Sequence, residues 1–471
     1  MSIANRRETD ALGERVLPAD VLWGVHTLRA QENFPLSGRP VAPGLVRAYG
    51  LVKQACLQTQ RDLGAWDGRE AEAEAVLQAA REMAAGALTA HIVVDALQGG
   101  AGTSLNMNVN EVLTNRALQI LGDAPGPSSR LSPLDDVNRW QSTNDTYPTA
   151  LRLAAIEGIK RLEDRLVFLQ ESFQRQEQRL ASVVKVGRTQ LQDAVLITLG
   201  REMGAYAEAL ARDRWRLYKC VERLRVVPLG GTAIGTGTGA PRAYIFQVVD
   251  TLRRLSGVGV ARAENLVDAT QNADVFVEVS GLVKTGAATL LKIAGDLRLL
   301  ASGPAAGLGE LRLPPRQAGS SMMPGKVNPV IPEAVTQAAL RVMAHDQAIT
   351  TAAGLGSLEL NPFLPLIADS LLDSLALLAN ACDILARHCV EGLEADPARC
   401  RQHVESTTAS VTALVPVLGY ATAQALAERA TREGRPVRAL VREAGLLDEA
   451  QFDALLSPEA VCRLGTPDIR P

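Results

Sequence analysis

Residues 155–180 read AIEGIKRLEDRLVFLQESFQRQEQRL, and apolar side chains recur along them in alternating steps of four and three. These positions are Ala155, Ile159, Leu162, Leu166, Leu169, Phe173 and Leu180. Because this spacing puts them on one face of an α-helix, the stretch predicts a single amphipathic helix. A helix of about 28 residues is roughly 42 Å long, which is typical of an elongated helical bundle and not of a compact α/β domain.

Four stretches further along the chain predict helices of comparable length. They cover about 194–224, 274–301, 332–351 and 365–389. We therefore expect a central helical bundle over residues 142–393, an N-terminal domain of short helices and turns over 1–141, and a small, charged helical C-terminal domain over 394–471. Residues 282–303 are rich in alanine and glycine, so we expect this helix to be packed on all sides, partly by other subunits.

The composition is that of a soluble globular protein. Of the 471 residues, 47% are hydrophobic and 21% are charged, and the formal net charge is −3. This balance excludes wholesale disorder and provides no strong field for nucleic acid or an anionic membrane, so we expect a small-molecule ligand. The first 20 residues contain no apolar run of signal-peptide length, and the six cysteines form no CxxC pair. Both observations predict a cytoplasmic protein.

Polar side chains gather in four short segments, at residues 102–111, 141–145, 187–193 and 319–328. Their hydroxyl and amide groups suit a carboxylate ligand, because side-chain and turn N–H groups can converge on its oxygens. None of the five histidines lies in these segments, which argues against a Ser–His–Asp device. No HExxH or similar spacing occurs, so we expect no catalytic metal. The longest segment without helical periodicity, residues 303–329, is rich in glycine and proline and is typical of a functional loop.

One of these segments has a pattern that is known from a protein family. Residues 319–328 read GSSMMPGKVN and match the pattern GSSxMPxKxN of the aspartase/fumarase superfamily. The chain resembles this family over nearly its whole length, with further agreement at residues 24–30, 230–237, 268–272 and 296–304. The resemblance implies a mainly α-helical, three-domain fold in which the central bundles of a homotetramer form a twenty-helix core. It also implies active sites that are shared between three subunits, so that a monomer is inactive.

Within the family the chain is most similar to the aspartate ammonia-lyases, which convert L-aspartate reversibly to fumarate and ammonia without a cofactor. The resemblance implies that Ser320 is the general base. The implied substrate-binding residues form three groups: Thr103, Ser142, Thr143 and Ser321 for the β-carboxylate, Lys326 and Asn328 for the α-carboxylate, and Asn144, Thr189 and Gln190 for the amino group. Such donors are what a dianionic aci-carboxylate intermediate needs at its oxygens. We expect closure of the 303–329 loop to exclude water and to favour the Ser320 oxyanion.

Departures from the family pattern leave other activities open. Fumarases have His at position 190, supported by the counterpart of Glu333, whereas Gln190 supplies no general acid. This difference disfavours fumarate hydratase, because hydroxide needs an acid to leave and ammonia does not. Asp136 and Trp140 replace a His and a small Ser of many relatives, which leaves open a related C–N lyase acting on a modified or N-substituted aspartate. A structural homologue with an inactive site, as among lens crystallins, is disfavoured because Ser320, Lys326, Asn328, Thr103 and Asn144 are all retained.

Overall fold

The computed structural model describes residues 5–465, and this part of the chain is mainly helical, as the sequence predicts. The first nine helices are α1 (Val25–Asn33), α2 (Pro43–Asp62), α3 (Glu70–Ala84), α4 (Thr103–Ile120), α5 (Thr143–Arg179), α6 (Leu199–Leu224), α7 (Arg242–Ser256), α8 (Leu266–Gln271) and α9 (Asp274–Leu300). The remaining helices are α10 (Val330–Gly354), α11 (Leu364–Leu385), α12 (Pro397–Ser406), α13 (Val411–Leu418), α14 (Tyr420–Glu433), α15 (Val437–Glu443), α16 (Glu449–Leu455) and α17 (Pro458–Cys462).

The predicted long helix is confirmed, and it is longer than the sequence pattern indicates. Helix α5 has 37 residues and begins at Thr143, well before Ala155. Residues 145–156 are all buried. Because a helix segment buried on every side has no polar face, its sequence shows no amphipathic periodicity, and this part of the helix escaped prediction.

The strands form four separate two-stranded sheets within the described residues. They are β1 (Asn5–Asp10) with β2 (Gly13–Pro18), β3 (Val184–Thr189) with β4 (Gln192–Thr198), β5 (Val226–Val227) with β6 (Ala261–Arg262), and β7 (Leu311–Arg312) with β8 (Glu394–Ala395). The expectation of a helix from residue 194 is wrong, because residues 194–198 belong to β4. Their sequence, AVLIT, is rich in β-branched residues, which favour the extended conformation when a partner strand is available.

The chain divides into two compact units, and the described part of the first covers residues 5–163, 215–285 and 341–378. In this unit α2 packs against α3 and α7, and α3 packs against α4. The expectation of only short helices before residue 142 is wrong, since α2 has 20 residues and α4 has 18. Helix α4 escaped prediction because both apolar and amide side chains on it are buried, including Asn106, Asn108 and Asn110.

The described part of the second unit covers residues 164–214, 286–340 and 379–465. It contains the β3–β4 hairpin, the segment around β7, and helices α12 to α17. A small apolar core joins Val186 and Leu196 of the hairpin to Val404 of α12. The three-domain division stays a prediction, and residues 1–4 and 466–471 of its terminal domains lie outside the described residues.

One apolar helical segment has the length of a membrane span. Residues 364–390 form the one described helical segment that is long and apolar enough to cross a membrane, but 61% of its most apolar window is buried inside the protein. This burial identifies a core helix.

Helix α9 is exposed on one face. Ala288, Gly295 and Leu299 are exposed along it, so within a single chain the helix is not packed on all sides as expected.

Candidate active site

The first unit presents three of the predicted substrate-binding residues at the start of α5. Ser142 directly precedes the helix, and its Oγ accepts a hydrogen bond of 3.2 Å from the backbone N–H of Asn144. The side-chain Nδ2 of Asn144 donates to the carbonyl oxygen of Ala233 at 2.7 Å. This bond fixes the orientation of the amide, so its Oδ1 is left as an acceptor, and among the described residues nothing donates to it.

A buried carboxylate holds this helix start against a glycine-rich loop. Asp145 is 0% exposed, and its Oδ1 accepts from the backbone N–H of Ser142 at 3.0 Å. Its Oδ2 accepts from the backbone N–H groups of Gly230 and Thr232, both at 3.1 Å. Burial raises the pKa of Asp145 to about 6, against the opposing effect of these three hydrogen bonds and of the Lys53 charge. The carboxylate therefore anchors residues 142–145 and residues 230–232 to each other.

Thr103 lies at a second helix start in the same unit. It is the first residue of α4, and its Oγ1 donates to the carbonyl oxygen of Gly100 at 2.7 Å. The preceding Gly102 has φ +95°, and a β-carbon there would overlap the ring of Tyr147 on α5. Only glycine allows this close approach of α4 to α5. Two helix N-termini, each with a partial positive charge, thus come close to each other, an arrangement that favours an anionic ligand.

In the second unit, Thr189 and Gln190 form the exposed tip of the β3–β4 hairpin. Gln190 and Leu191 are the two turn residues, and both adopt the left-handed conformation, with φ of +54° and +62°. This geometry is that of a two-residue turn whose twist matches the paired strands. Gly187 lies in the register shift of the ladder, where a β-carbon would meet the carbonyl oxygen of Val195. The sequence predicted the site residues here but not the hairpin that carries them.

A buried ion cluster fixes the base of this hairpin. Glu310 is 0% exposed and accepts from Arg188 through both of its oxygens, at 2.9 and 3.1 Å. Lys185 Nζ lies 3.1 Å from Oε2 of Glu310, and His403 Nδ1 lies 2.9 Å from Oε1. Burial raises the pKa of Glu310, but the hydrogen bond from Arg188 and the charge of Lys185 outweigh it and hold the pKa below its usual range. Glu310 therefore joins the hairpin, the segment before β7, and α12.

The predicted general base lies in the loop over residues 317–329, which we call the signature loop. Ser320 is half-buried, and its Oγ accepts a hydrogen bond of 3.1 Å from the backbone N–H of Met322. Ser321 and Lys326 are exposed, and Asn328 is half-buried. A β-carbon at Gly319 would overlap the carbonyl oxygen of Lys326, so glycine is required where the two ends of the loop meet. The close approach of Gly319 to Lys326 thus folds the loop back on itself and fixes where Ser320 and Lys326 stand along it.

Glu333 lies in the first turn of α10, and its nearest charged partner is Arg298 at 3.9 Å. No hydrogen bond joins Glu333 to Gln190 in the described part of the chain. Their predicted pairing stays a prediction for the assembled enzyme. The roles of the other predicted site residues likewise stay predictions.

The two residues that depart from the family pattern are both engaged in structure. Asp136 is buried and binds Arg69 at 2.8 Å and Arg139 at 3.2 Å. Trp140 has φ +61°, and its ring packs edge-on against the ring of Tyr244, with centroids 5.5 Å apart. A left-handed conformation is unusual for a bulky residue, so the turn before Ser142 is held in place by its surroundings.

Sequence reasoning assigned no role to three buried charged residues that organise the site, namely Lys53, Asp145 and Glu310. Asp145 was inside a recognised polar segment, and Glu310 was inside the long glycine- and proline-rich segment. A charged residue within such a segment is the signal that was available for these two. Lys53 lies in an ordinary helical pattern and gave no signal.

Comparison with known proteins gives matches over almost the whole chain. The Lyase family model matches residues 13–344, and the Fumarase C C-terminus model matches residues 411–463. An aspartate ammonia-lyase of Pseudomonas canavaninivorans is 47% identical over 457 residues, which cover 96% of each chain. The solved fumarate lyase:delta crystallin from Brucella melitensis bound to cobalt has 46% identity and a TM-score of 0.92, covering 97% of this chain and 99% of its own. A class II fumarase from Schistosoma mansoni has 30% identity and a TM-score of 0.91, covering 98% of this chain and 99% of its own.

Proposed function

The chain belongs to the aspartase/fumarase superfamily, and on that premise we infer that it acts as an aspartate ammonia-lyase, a carbon–nitrogen lyase that converts L-aspartate reversibly to fumarate and ammonia. The observation that carries this inference is the 47% identity to an aspartate ammonia-lyase over 96% of both chains. A class II fumarase has nearly the same fold at only 30% identity. The fold therefore does not distinguish the two reactions, but the sequence similarity favours loss of ammonia.

The reaction begins with removal of a proton from the carbon next to the β-carboxylate. This carbon acid is very weak, so the enzyme must stabilise the dianionic aci-carboxylate that forms when the proton leaves. We assign the β-carboxylate to Thr103, Ser142, Thr143 and Ser321. In support, Thr103 and residues 142–143 lie at the N-termini of α4 and α5, where backbone dipoles favour negative charge.

Ser320 is the proposed general base, and a serine needs a physical reason to hold a negative charge. The backbone N–H of Met322 already donates to its Oγ. A donor of this kind stabilises the oxyanion relative to the neutral hydroxyl and so favours ionisation. Closure of the signature loop over bound substrate would add the charge of Lys326, which we assign with Asn328 to the α-carboxylate, and would exclude water.

The amino group is assigned to Asn144, Thr189 and Gln190, with Glu333 in support of Gln190. Asn144 offers an acceptor for the substrate ammonium, because its Nδ2 is already bound to Ala233 and its Oδ1 is not. Gln190 carries no proton to donate as an acid. Since the amine leaves as neutral ammonia, no acid is required, whereas a departing hydroxide would need one.

We propose further that the enzyme is a cytoplasmic homotetramer with active sites shared between three subunits. The exposed Ala288, Gly295 and Leu299 on one face of α9 support this assembly, because small and apolar side chains let helices of neighbouring subunits pack closely. Shared sites would bring the helix starts of one subunit, the hairpin tip of a second and the signature loop of a third around one substrate.

A substrate panel tests the activity. Purified protein is incubated with L-aspartate, with L-malate and with N-substituted aspartates, and fumarate is followed by the ultraviolet absorbance of its conjugated double bond. We expect fumarate from L-aspartate only, because a site built to bind the ammonium rejects analogues that leave its polar groups unpaired. Fumarate from L-malate alone would identify a hydratase, and fumarate from an N-substituted aspartate alone would identify the related C–N lyase.

Substitution of Ser320 tests the mechanism. Ser320→Ala should lower kcat on L-aspartate by about 100- to 10,000-fold with an unchanged assembly state, because a general base contributes that much. Gln317→Ala, in the same exposed loop, is the matched control and should retain kcat within about threefold. Near-normal turnover by Ser320→Ala would remove this serine from the mechanism.

A further inference from the structure

A lysine with no exposed surface lies directly beneath the helix start that carries Ser142. Lys53 of α2 is 0% exposed, and its Nζ donates to Oε1 of Gln141 at 2.9 Å and to Oδ1 of Asn138 at 3.3 Å. No carboxylate in the described chain accepts a hydrogen bond from it. An ammonium group that is buried against neutral amides is costly and would be replaced at little loss by an apolar side chain if packing were its only role.

Both partners of Lys53 belong to the turn over Asn138–Gln141. The backbone N–H of Gln141 donates to the carbonyl oxygen of Asn138 at 3.1 Å and closes this turn. Within it, Trp140 adopts its left-handed conformation. The turn is therefore not one that its own sequence favours, and it depends on contacts from outside for its shape.

Helix α2 supplies these contacts from one face. Gln60 is seven residues, or two helical turns, after Lys53, so both side chains project to the same side. Gln60 Nε2 donates to the carbonyl oxygen of Arg139 at 2.8 Å. The side chain of Gln141 is held at both ends, since its Oε1 accepts from Lys53 and its Nε2 donates to the carbonyl oxygen of Val137 at 2.9 Å. Lys53 thereby sets the orientation of the residue that directly precedes Ser142.

We propose that Lys53 is a positioning residue for the deamination: through Gln141 and Asn138 it holds the turn that aims Ser142, Thr143 and Asn144 at the substrate. This inference rests on the proposed function. Donors that stabilise the aci-carboxylate act mainly in the transition state, and small displacements of such groups have large effects on rate. Loss of Lys53 should therefore lower kcat more than it raises KM.

The first test compares two variants of α2. Lys53→Met keeps the length of the side chain and removes the donor, and we expect kcat to fall about 10- to 100-fold with KM within about threefold. Val52→Ala is the matched control, because Val52 is also fully buried on α2. Its side chain precedes that of Lys53 by one residue and so projects about 100° away from it around the helix axis. We expect Val52→Ala to lower the melting temperature without lowering kcat more than about twofold. Equal losses of kcat in both variants would overturn the proposal.

The second test asks whether Lys53 acts through Gln141. Gln141→Leu should reproduce the kinetic loss of Lys53→Met, and the double variant should be no slower than either single one, because all three break the same link. Multiplicative losses would contradict this route. Should Lys53→Met fail to fold, Gln141→Leu against Val52→Ala decides the question by itself.

The third test uses pH and needs no substitution for its first measurement. Burial lowers the pKa of Lys53 to about 8. Charge-assisted hydrogen bonds are the stronger ones, so kcat of the wild-type enzyme should decrease as the pH rises through about 8, and this decrease should be absent from Lys53→Met. The titratable groups that act on Lys53 are Asp145, with its pKa of about 6, and Cys56, whose pKa burial raises to about 12, and neither changes charge in this range.

These outcomes separate the inference from the proposed function. If the wild-type enzyme forms no fumarate from L-aspartate, the proposed function fails before any variant is compared. If the wild-type enzyme is active and Lys53→Met matches it in kcat and in pH profile, the function stands and the positioning role of Lys53 is wrong.

Discussion

Asp145 shows how one side chain can connect the chemistry of the site to the folding of the chain. Its two oxygens accept three backbone N–H groups, from Ser142, Gly230 and Thr232. Neither oxygen is available to substrate, so the residue acts by holding other groups. Asn144, one residue earlier, is bound in the same way to the loop at Ala233. The donors of α5 and the glycine-rich loop are thus positioned as one piece.

The raised pKa of Asp145 predicts an acidic limb in the rate profile. Because the carboxylate accepts three N–H donors and the protonated acid accepts fewer, kcat should decrease as the pH falls through about 6. Asp145→Asn should be slower at every pH and should lack this limb, because its amide cannot titrate and turns N–H groups toward the backbone donors. Measurement of kcat from about pH 5 to pH 8 for both proteins checks this. A limb that persists in Asp145→Asn would assign it to another group.

The raised pKa of Asp145 affects the stability of the fold in the opposite direction from its effect on kcat. The pKa of Asp145 is raised from 3.8 to about 6 in the folded protein, so the folded state binds this proton more tightly than the unfolded chain does. The resulting contribution to the free energy of unfolding is fully present below pH 3.8 and is lost as the pH rises through about 6. The pH dependence of kcat and that of the free energy of unfolding should therefore run in opposite directions over this range.

At the residue scale, motifs could be recognised from the sequence and supporting charges could not. Ser320, Lys326 and Asn328 stand at fixed spacing in one short pattern, so a single sequence is enough to predict them as site residues. Lys53 and Glu310 have partners that are 85 to 88 and 93 to 125 residues away along the chain, respectively, and their burial is a result of tertiary packing. A lone charged residue in a helix or loop otherwise predicts an exposed side chain.

At the scale of elements, the β3–β4 hairpin shows why local patterns can mislead. Residues 194–198 continue directly into α6, and their apolar character fits the start of a helix as well as a strand. The strand forms because β3 is available as a partner and because Gln190 and Leu191 accept the left-handed turn. The deciding interactions lie outside the segment, so its periodicity alone could not identify them.

The ion cluster at the base of this hairpin gives the prediction at this scale. Glu310→Gln removes the buried carboxylate that Lys185 and Arg188 both contact and leaves Lys185 paired with Glu202 alone, at 3.2 Å. Breaking such a buried pair costs about 3–5 kcal/mol, and the pair with Glu202 places the loss toward the lower end of this range. We expect this loss in the free energy of unfolding, together with a lower kcat because Thr189 and Gln190 follow Arg188 directly. Chemical denaturation and steady-state kinetics measure the two effects.

A group of exposed ion pairs around Glu433, the last residue of α14, provides the matched control for that substitution. Glu433 binds Arg429 at 2.8 Å and Arg435 at 3.2 Å, but these groups are in contact with water. Exposed ion pairs contribute little because solvent screens them, so Glu433→Gln should leave both stability and kcat nearly unchanged. If Glu310→Gln behaved like Glu433→Gln, the cluster would have no part in shaping the hairpin.

At the scale of the whole molecule, α9 combines a buried face with an exposed one in a way that a single subunit does not explain. Val283, Ala287, Leu290 and Leu297 are buried, while Ala288, Gly295 and Leu299 are exposed. These exposed side chains recur at steps of seven and four, so they lie on one face of the helix, which also carries the exposed Lys292. Small and apolar residues so placed are typical of a helix face that packs against another helix.

A charge at one of these small residues should therefore prevent assembly while leaving the subunit folded. Ala288→Glu places a carboxylate that is solvated in the isolated chain but would be buried without a partner in the proposed tetramer. We expect light scattering to show a smaller species, circular dichroism to show unchanged helix content, and activity on L-aspartate to fall with assembly, because each proposed site draws residues from three subunits. Ala425→Glu, at an exposed position of α14, introduces the same charge on the same kind of helical surface and should remain tetrameric and active. A fully active tetramer of Ala288→Glu would show that this face of α9 does not lie in the subunit core, and an active monomer would show that the site is complete within one chain.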